Sequence, residues 1–354
     1  MADKVLMKGN EAIAEAAMRA GCKHFFGYPI TPQTEISAYM SKKMPKIGGL
    51  FLQAESEVAA INMVYGAAGA GVRVMTSSSS PGISLKQEGI SYIAGADLPC
   101  VIVNIMRAGP GLGGIQPSQG DYFQATKGGG HGDYRLIVLA PASIQEVVNH
   151  TGKAFDLADE YRMPVMILGD GTLGQMMEPV EFPEASEVTL NEKEWATTGT
   201  KMKRGRNVIN SLDTNPDTLE VKNNERQKKY DLIEETLQQS EYDNVEDSDI
   251  VIAAYGTCAR VAKAVQEMGK ADGIKIGTFR PITLWPFPKK DTEYVASQTK
   301  AILSVEMSQA GQMIEDVKLN ANGTPVYFYG RNGGFIPEPD EIYEAVKKIV
   351  KAVK

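Results

Sequence analysis

The chain has 354 residues, 43% hydrophobic and 23% charged, with a formal net charge of −7, which is enough for two globular domains. It has no run of about 18 apolar residues, and its N-terminus lacks the apolar stretch of a secretory signal, so we expect a cytoplasmic protein without a membrane span. The basic residues form no dominant stripe, which makes nucleic acid a poor candidate ligand, and the one basic cluster, residues 201–206, is interpreted as a solvated loop.

Strands and helices alternate through the first half of the chain. Residues 99–106 form a continuous apolar segment that is typical of a strand buried in a parallel sheet. The alternation predicts a doubly wound α/β domain over residues 1–177. Strands are predicted over residues 23–28, 50–53, 73–77, 99–106, 136–140 and 165–168, and helices over residues 9–20, 57–70, 84–94 and 143–161.

Residues 178–245 have a different composition, rich in Glu, Asn, Lys and Thr. We interpret them as a polar connecting segment that wraps the surface or a partner, with simple disorder as the alternative. The alternation returns in residues 246–354 and predicts a second, smaller α/β domain. The later elements are a polar helix over 224–239, strands over 250–255, 275–279, 301–305 and 325–329, and helices over 259–268 and 339–353.

The three cysteines, Cys22, Cys100 and Cys258, are far apart in the sequence and form no Cys-x-x-Cys pair. Their number and spacing exclude a disulfide framework, and also a four-cysteine iron–sulfur cluster held by this chain alone. If the reaction needs iron–sulfur centres, we expect them in another subunit.

Thr31 lies in the segment 27–32, Gly-Tyr-Pro-Ile-Thr-Pro, which follows a predicted strand. Ligands of open α/β sheets bind beyond the carboxyl ends of the strands, so its hydroxyl group is a candidate donor to a substrate carboxylate or carbonyl. Threonine is also a good helix N-cap, and both interpretations remain open at this stage.

A glutamate opens the predicted helix of small residues that follows the strand 50–53. Two candidates compete, Glu55 and Glu57, and Glu57 stands nine residues before Gly66. A buried carboxylate is costly unless it is paired, so it tends to mark a functional site. The alternative for either residue is a first-turn carboxylate that complements the helix dipole.

Two further segments follow predicted strands. Residues 76–82, Thr-Ser-Ser-Ser-Ser-Pro-Gly, are interpreted as a hydroxyl-rich loop, with an ordinary turn as the alternative. Arg107 stands between the most apolar strand and a glycine-rich stretch, and it is a candidate carboxylate clamp because a guanidinium binds a carboxylate bidentately. The glycine-rich stretch contains no P-loop consensus, so nucleoside triphosphate binding is not supported.

Together these segments resemble the alpha-type, thiamine-pyrimidine-binding subunit of 2-oxoacid:ferredoxin oxidoreductases, over nearly the whole chain. The segments that carry the resemblance are 27–32, 53–71 and 107–122, followed by 256–257, 279–288 and 305–312, which look like a transketolase-C-terminal-type domain. Residues 106–107, 111–113, 121–123 and 127–134 look more like the branched-chain type, which acts on 2-ketoisovalerate (3-methyl-2-oxobutanoate), than the 2-oxoglutarate type.

The resemblance implies CoA-dependent oxidative decarboxylation of a 2-oxoacid to acyl-CoA and carbon dioxide, with reduction of ferredoxin. In this superfamily a glutamate hydrogen-bonds N1′ of the thiamine aminopyrimidine and so favours the imino tautomer that removes the C2 proton. Glu57 matches that glutamate, and the spacing to Gly66 favours it over Glu55. Thr31 and Arg107 match positions that hold the substrate. The residues implied to bind the cofactor are Tyr28, Pro29, Ile30, Glu57, Ser78 and Ser79.

The resemblance also implies partner subunits. Gly169-Asp170-Gly171 looks like the start of a thiamine-diphosphate magnesium motif, but Asn191 stands alone and the pair Asn223-Asn224 lies too far on. We therefore interpret 169–171 as a strand-terminal turn and expect no metal site in this chain. A beta-type subunit would hold the diphosphate and Mg²⁺, and gamma-type and ferredoxin-like subunits would hold the iron–sulfur clusters.

Three alternatives remain open. The first is a subunit of the same type for pyruvate or 2-oxoglutarate, and 2-oxoglutarate would need a second basic residue, for which Arg73 and Lys127 are candidates. The second is a complete thiamine-diphosphate enzyme, which the missing metal motif disfavours. The third is a non-catalytic scaffold of the same fold, which the joint presence of Glu57, Arg107 and Thr31 disfavours.

Overall fold

The computed structural model describes residues 4–183 and 192–353. The strands are β1 (Val5–Lys8), β2 (His24–Gly27), β3 (Leu50–Gln53), β4 (Val74–Ser78), β5 (Cys100–Met106), β6 (Ile137–Leu139), β7 (Pro164–Asp170), β8 (Met177–Val180), β9 (Ser240–Asp243), β10 (Ile250–Ala253), β11 (Ile276–Pro281), β12 (Thr283–Trp285), β13 (Ile302–Glu306) and β14 (Val326–Gly330). The α-helices are α1 (Gly9–Arg19), α2 (Thr34–Lys43), α3 (Glu57–Gly69), α4 (Ser80–Gly95), α5 (Tyr122–Thr126), α6 (Ile144–Tyr161), α7 (Gly171–Gln175), α8 (Pro216–Thr236), α9 (Gly256–Ala271), α10 (Lys289–Gln298), α11 (Met313–Leu319) and α12 (Pro339–Val353).

The first half of the chain is built on a seven-stranded sheet in the order β12-β6-β7-β5-β4-β2-β3. All neighbouring strands are parallel except the antiparallel edge pair β12 and β6. Every residue of β5 and β7 is buried, as expected for central strands of a sheet covered on both faces. The predicted doubly wound α/β fold is confirmed.

A second sheet has five strands in the order β14-β13-β10-β11-β9. Its strands are parallel except for β9, which pairs antiparallel with β11. Helix α12 closes this sheet with an apolar stripe at helical spacing. The buried residues of that stripe are Ile342, Tyr343, Val346, Ile349 and Val350.

Each sheet has one edge strand that comes from outside the predicted domain that supplies its other strands. Strand β12 comes from the second half of the sequence but extends the first sheet, and β9 comes from the connecting segment but extends the second. Helix α8 packs on the body of the protein, where Tyr230 meets the Trp285 ring edge-on at 5.7 Å between centroids and Arg226 forms an ion pair with Asp97. The connecting segment therefore contributes packed structure after residues 184–191, which lie outside the described residues.

The fold brings the predicted site segments to one edge of the first sheet. Strands β2, β4, β5 and β7 are parallel, so their carboxyl ends lie together there. The expected loop over 76–82 is wrong, because β4 runs to Ser78 and α4 begins at Ser80, with Pro81 in its first turn. Serine hydroxyls thus lie where a strand passes directly into a helix.

No helix in the described ranges is both long and apolar enough to cross a membrane.

Candidate functional site

Glu57 is the first residue of α3, and Ser56 caps the helix by accepting a hydrogen bond from the Ala59 amide at 3.1 Å. The Glu57 side chain is 6% exposed, whereas Glu55 is exposed. No residue in the described part of the chain donates a hydrogen bond to the Glu57 carboxylate. The burial therefore supports the choice of Glu57 over Glu55, and it leaves the Glu57 carboxylate oxygens for a ligand.

Helix α4 lies directly against this carboxylate. A Cβ atom at Gly82 would lie 2.6 Å from Glu57 Oε1 and 2.1 Å from Ser78 Oγ. Both distances are too short for real contacts, so only glycine fits at this position. Glu57, Ser78 and the α4 backbone thus form a close cradle.

Gly66, whose spacing favoured Glu57, is not a site of close packing. A Cβ atom there would meet nothing within 4 Å. The close approach of α3 and α4 occurs instead at Gly89, where a Cβ atom would lie 2.5 Å from Ile61 Cγ2.

Ser78 and Ser79 are fully buried, and neither hydroxyl group has a hydrogen-bond partner in the described chain. Buried polar groups without partners are rare in folded proteins. Both serines lie at the junction of β4 and α4, and the Ser78 hydroxyl group lies beside Glu57 at Gly82.

The turn at residues 28–30 is tied to the same strand end through Gln33. This buried side chain accepts a hydrogen bond from Ser77 Oγ at 2.6 Å and donates one to the Tyr28 carbonyl at 3.4 Å. Tyr28 and Ile30 are half-buried and Pro29 is exposed. The structure therefore places these cofactor candidates near Ser78 without giving their side chains a partner that would define a role.

Arg107 follows β5 and is 8% exposed. Its Nη1 donates to the Thr31 carbonyl at 3.0 Å and its Nη2 to the Leu112 carbonyl at 2.8 Å, while Nε is buried without a partner. No acidic residue in the described ranges forms an ion pair with it. A buried guanidinium without a counter-charge is unfavourable, so this geometry suits a carboxylate that comes from a ligand.

Thr31 lies beside Arg107, but it does not cap a helix. Helix α2 begins at Thr34 with Gln33 in the N-cap position, and residues 31–33 form a turn before it. The N-cap interpretation of Thr31 is therefore wrong. Its carbonyl anchors Arg107, and its side chain is exposed at the same edge of the sheet.

Three polar residues that the sequence reasoning missed hold the Arg107 backbone in place. Asn104 Oδ1 accepts a hydrogen bond from the Ser80 amide at 3.1 Å, and Asn104 Nδ2 donates to Asp121 Oδ2 at 2.9 Å. Ser80 Oγ donates to Asp121 at 2.6 Å and accepts from the Arg107 amide at 3.0 Å. Burial raises the pKa of Asp121, although these two side-chain hydrogen bonds oppose the shift. The sequence signal that could have identified this network was Asn104, the lone polar residue in an otherwise apolar strand.

A cleft of about 730 Å³ opens between Arg107 and the second half of the chain. Its charged lining residues are Arg107 and Asp121. The apolar lining consists of Pro81, Leu85, Ala108, Pro110 and Met307.

Arg73 and Lys127, the candidates for a second substrate-binding cation, do not line this cleft. Arg73 forms ion pairs with Asp156 at 2.7 Å and Asp159 at 2.8 Å. Lys127 forms an ion pair with Asp316 at 2.6 Å. Each cation is therefore already neutralised by a carboxylate of the same chain.

Asp170, in the segment that looks like a magnesium motif, is fully engaged by protein groups. It ends β7 and caps α7, accepting hydrogen bonds from the Thr172 amide at 2.9 Å, the Leu173 amide at 3.2 Å and Thr257 Oγ1 at 2.9 Å. Asn191 lies outside the described residues. Within the described ranges, no group of three or more His, Cys, Asp or Glu side chains is arranged to hold a metal ion.

Comparison with known proteins gives the family. Residues 15–247 match the family described as pyruvate flavodoxin/ferredoxin oxidoreductase, thiamine diphosphate-binding, and residues 248–342 match pyruvate:ferredoxin oxidoreductase core domain II. The chain is 51% identical to ketoisovalerate oxidoreductase subunit VorB of Methanothermobacter marburgensis, with 97% of each chain covered. It is 35% identical to 2-oxoglutarate synthase subunit KorA of Methanothermobacter thermautotrophicus, covering 99% of this chain and 100% of that one.

Solved structures agree with this result. A 2-oxoglutarate:ferredoxin oxidoreductase from Magnetococcus marinus, with 2-oxoglutarate, coenzyme A and succinyl-CoA bound, matches 99% of this chain at 28% identity and a TM-score of 0.89. The match spans 66% of that longer chain. A split-gene transketolase matches at 14% identity and a TM-score of 0.60, which shows a shared fold alone. The chain is a member of the 2-oxoacid:ferredoxin oxidoreductase family and carries that family's thiamine-diphosphate-binding domain.

Proposed function

We propose that this chain is the pyrimidine-side subunit of a CoA-dependent 2-oxoacid:ferredoxin oxidoreductase that converts 2-ketoisovalerate to its acyl-CoA and carbon dioxide. The observation that carries the proposal is that one sheet edge holds a buried acidic residue and a buried basic residue, each without an ion-pair partner in the described part of the chain. Glu57 has no hydrogen-bond donor and Arg107 has no acidic partner within the described residues. Glu57 therefore suits a hydrogen-bond donor of a ligand, and Arg107 suits a negatively charged ligand group.

The residues around Glu57 fit the aminopyrimidine of thiamine diphosphate. That cofactor, when bound, supplies the nucleophilic carbon that attacks the 2-oxoacid carbonyl and accepts the electron pair released by decarboxylation. The Glu57 carboxylate would form a hydrogen bond with ring atom N1′, and its burial would exclude water from that bond. Ser78 and Ser79 offer the two unpartnered hydroxyl groups to the ring. The turn at residues 28–30, fixed by Gln33, closes the same site.

Arg107 and Thr31 orient the substrate. Two backbone carbonyls hold the guanidinium plane, and the N–H groups that remain are free to bind a 2-oxoacid carboxylate. The exposed Thr31 hydroxyl group is positioned to donate to the substrate carboxylate or carbonyl. Fixing the carboxylate at one end of the cleft sets the carbonyl carbon in a defined orientation.

The lining of the cleft favours a 2-oxoacid without a second carboxylate. Beyond Arg107, the lining residues include Leu85, Pro110 and Met307 and no second cation. The distal carboxylate of 2-oxoglutarate would lose its water without gaining a cationic partner, because Arg73 and Lys127 are bound elsewhere. The VorB relative, named for ketoisovalerate, points to the same substrate class.

The proposal includes partner subunits. A beta-type subunit binds the diphosphate and Mg²⁺, and gamma-type and ferredoxin-like subunits hold the iron–sulfur clusters that pass electrons to ferredoxin. Its support is that Cys22, Cys100 and Cys258 are buried and unpaired, and that this chain spans 66% of the longer 2-oxoglutarate:ferredoxin oxidoreductase chain. The cytoplasmic location remains a prediction.

The test is an anaerobic purification of the tagged chain from its host. The purified material is then assayed for CoA-dependent reduction of a viologen dye with 2-ketoisovalerate, 2-oxoglutarate and pyruvate. We expect iron–sulfur partners to co-purify and 2-ketoisovalerate to give the highest kcat/KM. A preference for 2-oxoglutarate or pyruvate would overturn the substrate assignment, and a lone chain inert toward every 2-oxoacid would overturn the function.

A further inference from the structure

Lys86 is a fully buried lysine that the proposed function does not use. It lies on α4, and its Nζ donates hydrogen bonds to Thr76 Oγ1 at 2.7 Å and to the Ser77 carbonyl at 3.0 Å. Both acceptors are uncharged groups near the end of β4. A buried ammonium with only neutral hydrogen-bond acceptors is unfavourable unless a negative charge lies near.

The position of Lys86 on α4 directs it toward the Glu57 cradle. Lys86 and Gly82 are four residues apart on one helix, so they share a face, and helical side chains lean toward the helix N-terminus. Gly82 is the residue against which the Glu57 carboxylate and Ser78 lie. The lysine amine, bonded to the Ser77 carbonyl, is therefore adjacent to the residues that form the cradle.

The electrostatic surroundings agree with this placement. Burial lowers the pKa of Lys86 to about 7, and the charge of Glu57 is the largest influence that opposes the shift, followed by Cys100. Burial raises the pKa of the Cys100 thiol to about 12, so that group is uncharged near neutral pH. Glu57 is thus the charged group that faces the Lys86 amine.

We propose that Lys86 is a positioning residue for Glu57: its amine, anchored by Thr76 and Ser77, supplies the positive charge that balances the buried Glu57 carboxylate beneath the cofactor ring. This inference rests on the proposed role of Glu57. Lys86 itself touches neither cofactor nor substrate, and it acts by fixing the charge and orientation of the glutamate. A lysine with a purely structural role would be replaceable by methionine, because exchanging a buried charge for an apolar side chain is often neutral or stabilising.

The first test follows the Lys86 amine in the full chain by NMR with carbon-13-labelled lysine. Its signal is assigned by its loss in Lys86→Arg or Lys86→Met. In Glu57→Gln we expect the pH midpoint of the Lys86 titration to fall by about 1 unit or more, because the neighbouring negative charge is gone. Glu55→Gln is the matched control, since Glu55 is exposed, and it should leave the midpoint where it is. An unchanged midpoint in Glu57→Gln would overturn the inference.

The second test uses the assembled complex. We expect Lys86→Met to lower kcat by roughly tenfold or more while the KM for the 2-oxoacid changes little, and to move the acid limb of the pH–rate profile to higher pH. Lys86→Arg, which keeps the charge, should retain more of kcat. Lys193→Met is the control, because Lys193 is also largely buried but is paired with Asp159, and it should behave as wild type. A Lys86→Met complex with the wild-type kcat and pH profile would contradict the positioning role.

The two tests separate this inference from the proposed function. Full activity of Glu57→Gln would remove the proposed role of Glu57, on which this inference rests, whatever the NMR titration shows. If the Glu57→Gln complex is inactive but the pH midpoint of the Lys86 titration is unchanged, only the positioning role of Lys86 is rejected.

Discussion

At the scale of single residues, the sequence provided candidate side chains for the chemistry but did not show how their charges are balanced. Glu57 and Arg107 were chosen as candidates because each follows a strand, and a strand end in an open α/β sheet faces ligand. The burial of Glu57, the neutral carbonyls that hold Arg107 and the buried Lys86 depend on contacts between distant segments. The sequence does show that Lys86 lies four residues after Gly82, but spacing alone does not show which face of the helix is buried.

Replacing Arg107 should mainly weaken 2-oxoacid binding. We expect Arg107→Ala to raise the KM for 2-ketoisovalerate by roughly 10- to 150-fold, because a hydrogen bond to a charged group contributes about 1.5–3 kcal/mol. The effect on kcat should be smaller. Steady-state kinetics of the complex measure both constants. Arg19→Ala is the control, since Arg19 pairs with Glu15 on α1, and an Arg107→Ala complex with the KM of that control would contradict the clamp.

The buried Lys86 should make stability depend on pH. Burial lowers its pKa from the ordinary lysine value of 10.5 to about 7 in the folded chain, so between these values the unfolded state binds more protons. The free energy of unfolding should therefore rise with pH in that window, by about 1.4 kcal/mol per pH unit, and the cost of the buried charge is fully present below about pH 7. Urea unfolding of wild type and Lys86→Met at several pH values isolates this contribution. A difference between the two chains that stays constant from pH 7 to 10 would contradict it.

At the scale of elements, most strands and helices of the first sheet could be predicted from apolar patterning, but their ends could not. The segment 76–82 was expected to be a loop because Ser, Pro and Gly are common in turns. Instead Ser78 ends β4 and Ser80 begins α4, where proline is favoured in the first helical turn. The close approach of α3 and α4 at Gly89 could not be predicted either, because one sequence does not show which face of a helix meets a neighbour.

Gly82 on α4 and Gly66 on α3 allow two matched glycine-to-alanine substitutions. Gly82→Ala should place a methyl group against Glu57 and Ser78 and so lower cofactor affinity and activity, since the Cβ atom would lie 2.1 Å from Ser78 Oγ. Gly66→Ala has open space, so in the isolated full chain it should raise the free energy of unfolding by up to about 1 kcal/mol. Urea unfolding and thiamine diphosphate titration measure both effects. Normal cofactor affinity in Gly82→Ala would show that the cradle is not the cofactor site.

At the scale of the whole molecule, the sequence predicted two α/β halves but not how they are joined. Strands β12 and β9 cross between the halves, and both are short edge strands that pair antiparallel, so neither has a long apolar run that could reveal it. Gln119 links the halves as well. Its Nε2 donates to the Tyr255 carbonyl at 2.8 Å and its Oε1 accepts from the Met307 amide at 3.0 Å. Met307 lines one wall of the cleft, so this wall is held in a fixed position relative to the loop that follows Arg107.

Removing this link should destabilise the chain. Gln119→Leu keeps a similar volume but leaves the Tyr255 carbonyl and the Met307 amide without the side-chain partner. We expect a loss of roughly 1–3 kcal/mol in the free energy of unfolding, because the Met307 amide becomes a buried unsatisfied donor, whereas the Tyr255 carbonyl keeps the Ala259 amide at 3.4 Å. Gln124→Leu is the control, since the Gln124 side chain makes one hydrogen bond, to Ser84. Equal stability of the two variants in urea would contradict the role of Gln119.

A comparison of Glu57→Gln with Glu55→Gln in the reconstituted complex tests whether Glu57 activates the thiamine cofactor. Both substitutions remove one carboxylate near the start of the same helix, but only Glu57 is buried against Gly82. We expect Glu57→Gln to lose at least about 100-fold in kcat, the lower range for removal of general acid–base catalysis, while Glu55→Gln stays near wild type. Wild-type kcat in the Glu57→Gln complex, or an equal loss of kcat in both variants, would contradict this role of Glu57.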